Sequence, residues 1–138
     1  MTKVLVVEAR YYNHINDFLL EGIKAELDAA GAEFDVLTVP GALEIPSAVS
    51  FSLNKGYDAF VVAGCIIRGE TSHYDIVCNE SARGVYDLVL AYDLPLGNAI
   101  LTVENEAQAL ARAKTDQKNK GGEAAKAALR MLEIKNAA

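Results

Sequence analysis

The chain has 138 residues, of which 51% are hydrophobic and 23% are charged, and its formal net charge is −6 at pH 7. This composition predicts a compact core and excludes intrinsic disorder. Because the net charge is negative and no run of basic residues occurs, it also excludes nucleic acid and anionic membranes as expected partners. The first residues enter an apolar strand pattern at once, and no segment reaches the length of a membrane span. We therefore expect a single cytoplasmic domain over residues 1–138.

The four candidate strands lie, in chain order, at Lys3–Val7, Phe34–Val39, Ala59–Gly64 and Asn98–Val103. A helix pattern follows each strand: from Asn13 or Asn16 to Gly31, from the region of Pro46 to about Gly56, from His73 to about Tyr92, and from Asn105 to about Ala113. In the fourth of these helices, Asn105 is expected to be the N-cap, with Gln108 as its reciprocal partner. A last helix carries Ala125, Ala128, Leu129 and Leu132 on one side. Alternating strands and helices predict an α/β fold with a four-stranded parallel sheet, a flavodoxin-like three-layer sandwich of strand order 2-1-3-4.

Three unusual segments follow the predicted strands: Arg10–Asn13, Pro40–Glu44 and Arg68–His73. Ligands of such sheets bind beyond the carboxyl ends of the strands, where all three segments would meet. Their coincidence at one edge predicts a binding site there.

The segment Gly64–Asp75 carries most of the functional information. Ser72 and Asp75 fit the S-x-x-D pattern of a helix start, with Ser72 as the N-cap. His73 then lies in the first turn, beside backbone N–H groups that attract anions such as phosphate. The same environment disfavours a positive imidazole and leaves His73 able to accept a proton. An anion site beside a proton-transfer group predicts an active site.

The candidate functional side chains also have simpler structural interpretations. Tyr11 could stack on a planar heterocycle or merely cover the sheet edge, and Glu44 could accept ring N–H groups or favour a helix start. His73 and Arg112 could be solvated helix residues. Lys120 is a cation near a helix N-terminus, which is locally unfavourable and suggests an anionic or polyol partner.

The two cysteines, Cys65 and Cys78, are expected to be reduced thiols, because no secreted disulfide framework is visible. Cys65 has no cationic neighbour in the sequence and is not expected to act as a nucleophile. The chain contains no C-x-x-C or H-x-x-x-H pattern, so we expect no metal site.

Together these residues closely resemble the lumazine synthase family over nearly the whole chain. The distinctive segments are Pro40–Pro46, Ile67–Asp75, Val77–Glu80, Thr102–Asn105 and Asn119–Gly121. The resemblance implies condensation of 5-amino-6-(D-ribitylamino)pyrimidine-2,4-dione with 3,4-dihydroxy-2-butanone 4-phosphate, which gives 6,7-dimethyl-8-ribityllumazine, phosphate and water in riboflavin biosynthesis. It implies no metal or organic cofactor. It also implies a homo-oligomer, expected to be a pentamer with sites between adjacent subunits, and a functional link to riboflavin synthase.

The resemblance assigns roles residue by residue. His73 matches the group that donates and accepts protons, Tyr11 the aromatic that stacks on the pyrimidine, and Arg112 the cationic clamp of the phosphate. Asn98 and Lys120 match positions that reach the site from the neighbouring subunit. The remaining substrate-binding positions implied are Tyr12, Gly41, Ala42, Leu43, Glu44, Cys65, Ile66, Ile67, Arg68, Glu70 and Thr71.

Three positions depart from the family pattern. Asn98 stands where phenylalanine is frequent, and Tyr12 where asparagine is common. Glu70 places a carboxylate beside the phosphate loop, so it must point away or be neutralised. The competing classes are a non-catalytic flavin- or lumazine-binding module, a shell protein, and another sugar-phosphate enzyme of the same fold.

Overall fold

Four parallel strands form the central sheet of the computed structural model, which describes residues 1–138. The strands are β1 (Lys3–Ala9), β2 (Glu33–Val39), β3 (Ala59–Ile67) and β4 (Leu96–Val103), in the order β2-β1-β3-β4. The predicted order 2-1-3-4 is confirmed.

Five α-helices and one turn of 3-10 helix cover the two faces of this sheet. They are α1 (Asn13–Ala29), the 3-10 turn (Ala42–Glu44), α2 (Ile45–Phe51), α3 (His73–Tyr92), α4 (Glu106–Ala113) and α5 (Lys120–Ala137). Helices α1, α4 and α5 share one apolar core with the sheet, and α2 and α3 share the other. The flavodoxin-like fold is therefore confirmed. None of the helices has the length and apolar character needed to span a membrane.

The two central strands are buried because helices cover both of their faces. Alternate residues of β1 point to opposite sides, so Val4 and Val6 pack against α1 and α5, whereas Leu5 and Val7 pack against α2 and α3. β1 and β3 run side by side, with Glu8 opposite Ala63. Their carboxyl ends therefore meet at one edge.

β3 runs three residues beyond its predicted end at Gly64. A Cβ atom at Gly64 would make ordinary contacts, 3.5 Å from the Cβ atom of Ala9 on β1 and 3.9 Å from Cδ1 of Ile45 on α2. Gly64 lies within the strand and does not end it, and the apolar run continues to Ile67. α2, in contrast, ends at Phe51, earlier than expected.

The predicted start of α3 is confirmed, because Ser72 occupies the N-cap position and His73 begins the helix. The side chain of Ser72, however, makes no capping bond. Its helical backbone (φ −71°, ψ −2°) does not have the extended geometry that directs an N-cap side chain back to the first turn. Thr71 Oγ1 accepts the N–H of His73 instead, at 3.2 Å.

The N-cap predicted for α4 is confirmed. Asn105 is extended, and its Oδ1 accepts the N–H of Gln108 at 2.9 Å. The side chain of Gln108 reaches back, as a capping box requires, but it binds the N–H of Glu104 at 2.8 Å, one residue earlier than in the standard arrangement.

Candidate active site

A cavity of about 390 Å³ opens at the carboxyl ends of β1 and β3. Strands β2 and β3 pair with β1 on opposite sides, so the strand order reverses between β1 and β3. The cavity lies at this switch point. Its walls consist of Tyr11, Tyr12, Gly41, Ala42, Leu43, Glu44, Cys65, Ile66, Ile67, Gly69, Thr71, His73, Tyr74 and Val77. The three segments that the sequence singled out therefore meet at one site.

Two tyrosines form an aromatic wall. The rings of Tyr11 and Tyr12 pack edge to face, with centroids 4.9 Å apart and an interplanar angle of 76°. Tyr12 packs against the core, and burial raises the pKa of its hydroxyl. Tyr11 is 76% exposed, so its ring is available for a planar ligand.

The opposite wall combines the 3-10 turn with the end of β3. Gly41 approaches Glu44 so closely that a Cβ atom at Gly41 would lie 3.1 Å from Glu44 Oε1. On the strand side, burial raises the pKa of the Cys65 thiol to about 11. The thiol is therefore protonated at neutral pH, in keeping with the expectation that Cys65 is not a nucleophile.

The loop between β3 and α3 presents unpaired backbone donors. The N–H groups of residues 69–72 and of Tyr74 donate to no other group of the protein, whereas the N–H of His73 is satisfied by Thr71. Free N–H groups at the start of a 20-residue helix form an anion-binding environment. His73 is exposed on the same wall of the cavity. The structure thus brings donors for an anion next to an imidazole.

Arg68 and Glu70 lie in this loop but outside the cavity walls. Arg68 Nε donates to Glu104 Oε2 at 2.6 Å, its Nη2 lies 3.6 Å from Asp75 Oδ1, and its guanidinium stacks on the Tyr74 ring at 4.2 Å. The hydrogen bond to Glu104 raises the pKa of Arg68 further. Arg68 is therefore committed to partners within the protein, and Glu70 does not contribute to the walls.

Three other predicted site residues are not among the residues of these walls. Asn98 lies on β4, where its Oδ1 accepts the N–H of Ile100 at 2.8 Å. Arg112 lies on α4 and donates from Nη1 to the Gln108 carbonyl at 3.0 Å. Lys120 begins α5, and its ammonium lies 2.9 Å from Glu123 Oε2, which compensates the cation at this helix start.

Sequence reasoning missed three wall residues, Gly69, Tyr74 and Val77. Tyr74 and Val77 follow His73 by one and four positions on α3. Helical periodicity could have found Val77, because residues four apart share a helix face. Tyr74 was missed because its role depends on the stacked Arg68.

The cavity walls lack a lysine or arginine that could neutralise a phosphate ligand. They contain one carboxylate, that of Glu44, one imidazole, that of His73, and no lysine or arginine. The anion donors that one chain supplies here are backbone N–H groups and uncharged side-chain groups such as the Thr71 hydroxyl. A cation for a phosphate would have to come from outside these walls.

A doubly wound parallel sheet with an aromatic-walled cavity at its switch point defines a flavodoxin-like α/β protein with a site for a small planar ligand. A family model described as 6,7-dimethyl-8-ribityllumazine synthase matches residues 1–136. Proteins named 6,7-dimethyl-8-ribityllumazine synthase are similar over almost the whole chain. One from Methylorubrum populi is 59% identical, covering 99% of this chain and 85% of that protein. One from Zymomonas mobilis is 58% identical (98% and 97%), and one from Agrobacterium fabrum is 56% identical (96% and 93%). The chain belongs to the 6,7-dimethyl-8-ribityllumazine synthase family.

Proposed function

We propose that this protein is an enzyme, a transferase that condenses 5-amino-6-(D-ribitylamino)pyrimidine-2,4-dione with 3,4-dihydroxy-2-butanone 4-phosphate. The products are 6,7-dimethyl-8-ribityllumazine, phosphate and two molecules of water. Membership of the family over residues 1–136 supports the reaction. The observation that carries the proposal is the cavity itself, in which an aromatic wall faces free backbone donors and the imidazole of His73.

The pyrimidinedione would occupy the half of the cavity near β1. Its ring would stack on the exposed ring of Tyr11, and its polar edge would meet the backbone of Cys65–Ile67 at the end of β3. Gly41–Leu43 and the carboxylate of Glu44 would receive the hydroxyl groups of the ribityl chain. These contacts orient the two amino nitrogens toward His73.

The phosphate of the second substrate would bind the free N–H groups of residues 69–72 and the hydroxyl of Thr71. A phosphate is doubly charged near neutral pH, and donors without a cation would neutralise it incompletely. We assign the missing charge to Arg112 and Lys120 of a neighbouring copy, because these cations lie outside the cavity of their own chain. Asn98 would reach the same site from that neighbour.

The proposed chemistry needs positioning and proton transfer only. The 5-amino nitrogen attacks the ketone carbon, and loss of one water gives an imine. Removal of a proton from C3 expels phosphate from C4, and the resulting enol takes a proton at C4 to become a methyl ketone. The ribitylamino nitrogen attacks this ketone, and loss of the second water closes the ring. His73 would take and return these protons, while the N–H groups stabilise the departing phosphate.

We also infer a homopentamer located in the cytoplasm. Large apolar side chains are exposed on one chain, among them Leu90 (81%) and Phe51 (75%). An interface between copies would cover such groups and complete the charge of the site. The lumazine produced would be the substrate for a riboflavin synthase, which is the expected functional link.

The direct test is to incubate the protein with both substrates and record lumazine fluorescence together with phosphate release. The two signals should rise in equal molar amounts and should both be absent when either substrate is omitted. Binding of the pyrimidinedione or of the lumazine without turnover would favour a non-catalytic carrier instead.

A further inference from the structure

Glu8 is a buried carboxylate that the proposed chemistry does not use. It lies near the end of β1 and is 3% exposed. Its oxygens accept hydrogen bonds from Arg10 Nε at 2.9 Å, Asn16 Nδ2 at 3.3 Å and Thr38 Oγ1 at 2.7 Å. An ionised carboxylate is costly to bury unless it is paired, and Arg10 is the cation that pairs it.

Arg10 is held on a second side by helix α1. Its Nη2 donates to Asp17 Oδ1 at 2.6 Å, and its Nη1 lies 3.4 Å from Asn13 Oδ1. One guanidinium therefore joins the end of β1, through Glu8, to the first turns of α1. Its planar fork can bind both carboxylates at once, which an ammonium group cannot do in the same way.

The segment enclosed by these bonds consists of Tyr11 and Tyr12, the aromatic wall of the cavity. Tyr12 makes no capping bond, and the first turn of α1 contains no acidic residue. The other side-chain bond at this helix start joins His14 to Glu106 of α4 and does not involve β1. The side-chain bonds that tie β1 to α1 thus pass through Glu8 and Arg10. They fix both ends of the segment that carries the rings.

We propose that Glu8 and Arg10 are positioning residues that set the Tyr11 ring at the angle required to stack on the pyrimidinedione. The proposal rests on the proposed function, since it concerns the substrate of that same site. Both residues act through Tyr11 and are expected to affect the pyrimidinedione half of the cavity. The phosphate half, which is built from the loop before α3, should be spared.

The test compares Arg10→Gln, Arg10→Lys and Glu8→Gln with a matched control, Arg83→Gln. Arg83 also bonds two carboxylates, Glu80 at 2.6 Å and Asp87 at 2.9 Å, but on the exposed side of α3. We expect Arg10→Gln and Glu8→Gln to raise KM for the pyrimidinedione roughly tenfold, because small misplacements of a binding group are costly. KM for the butanone phosphate should change less than about twofold, and Arg10→Lys should recover part of the loss. Arg83→Gln should behave as the parent protein.

A second readout does not depend on catalysis. Hydrogen–deuterium exchange of the amides of residues 10–13 should be faster in Arg10→Gln than in the parent, and unchanged in Arg83→Gln. Equal increases of both KM values, or unchanged exchange with an unchanged KM for the pyrimidinedione, would overturn the positioning role. If the parent protein forms no lumazine, the proposed function fails, and the exchange comparison still decides whether Glu8 and Arg10 fix this segment.

Discussion

The guanidinium carbon of Arg68 lies 4.2 Å from the centroid of the ring of Tyr74, a wall residue of the candidate active site. The same side chain donates to Glu104 at 2.6 Å, so it connects the end of β3, the first turn of α3 and the residues after β4. The family resemblance places Arg68 among the substrate-binding positions. Its contacts within the protein indicate that it also holds the loop between β3 and α3, the proposed phosphate-binding loop, in place.

Replacement of Arg68 by alanine should therefore raise KM for the butanone phosphate, by roughly tenfold, through loss of loop geometry. Arg68→Lys should recover little, because the planar guanidinium stacks on Tyr74 and bonds Glu104 at the same time, and an ammonium group has no planar face with which to stack. Steady-state kinetics with each substrate varied in turn will measure this. A larger effect on the pyrimidinedione than on the phosphate substrate would contradict the assignment.

Gly97→Ala tests the close contact between β4 and α5. A Cβ atom at Gly97 would lie 1.8 Å from the carbonyl oxygen of Ala124, so strand and helix would have to separate. We expect the free energy of unfolding to fall by about 3 kcal/mol or more, at the upper end of overpacking effects. Urea unfolding at one fixed protein concentration will measure the loss. Gly69→Ala is the matched control, because no atom lies within 4 Å of its added Cβ.

The sequence predicted the sheet well because its apolar runs and alternating helices leave few arrangements open. It also placed Asn105 correctly as an N-cap, since an extended asparagine before a polar first turn needs only local geometry. Ser72 was placed correctly as the N-cap of α3, but the hydroxyl that binds the first turn is that of Thr71, one residue earlier, and the sequence pattern cannot rank the two. Local sequence preferences identified the capping side chain where there was one candidate, Asn105, but not where two adjacent residues, Thr71 and Ser72, competed.

Tertiary contacts at the site are harder to predict. The bond between Arg68 and Glu104 joins residues 36 positions apart, and no local pattern links them. The roles proposed for Asn98, Arg112 and Lys120 require a second copy of the chain. Their assignment to the site stays a prediction that a single chain does not test.

The connection between α4 and α5 leads to a prediction about assembly. The resemblance implies that capsid-forming members of the family carry a Lys-Ala-Gly-Asn-type turn between the last two helices. At that position this chain has Thr115–Asn119, which contains no glycine. Here Asn119 adopts the left-handed conformation (φ 46°) and caps α5 through its side chain. We expect isolated pentamers, because this polar connection lacks the turn used between pentamers. Light scattering in ordinary buffer should give a pentamer mass, and a capsid mass would refute the prediction.

Arg112→Ala should harm use of the butanone phosphate far more than binding of the pyrimidinedione. An arginine can bind phosphate through two parallel N–H groups, whereas a lysine supplies the positive charge without this paired contact. Arg112→Lys should therefore keep partial activity. The comparison requires KM for both substrates in each variant. Arg130→Ala is a suitable control, because Arg130 is an exposed arginine on α5 whose partner is Glu133. Equal weakening of both substrates would indicate that Arg112 has a structural role.

His73→Ala tests the proton-transfer step directly. His73 lies on the cavity wall with its backbone N–H bound by Thr71, so the substitution should leave α3 and the pentamer intact. Proton transfer by a positioned side chain contributes about 10²–10⁴-fold, whereas positioning of two substrates can contribute more. We therefore expect kcat to fall within that range without disappearing, because water or another base can replace the imidazole once both substrates are aligned.

The two Michaelis constants separate loss of this base from general damage to the site. In His73→Ala both KM values should change only modestly, because the imidazole is proposed to move protons and not to hold either substrate. His14→Ala is the matched control, since His14 is exposed and bonded to Glu106 outside the cavity. Turnover equal to that of the parent would remove His73 from the mechanism.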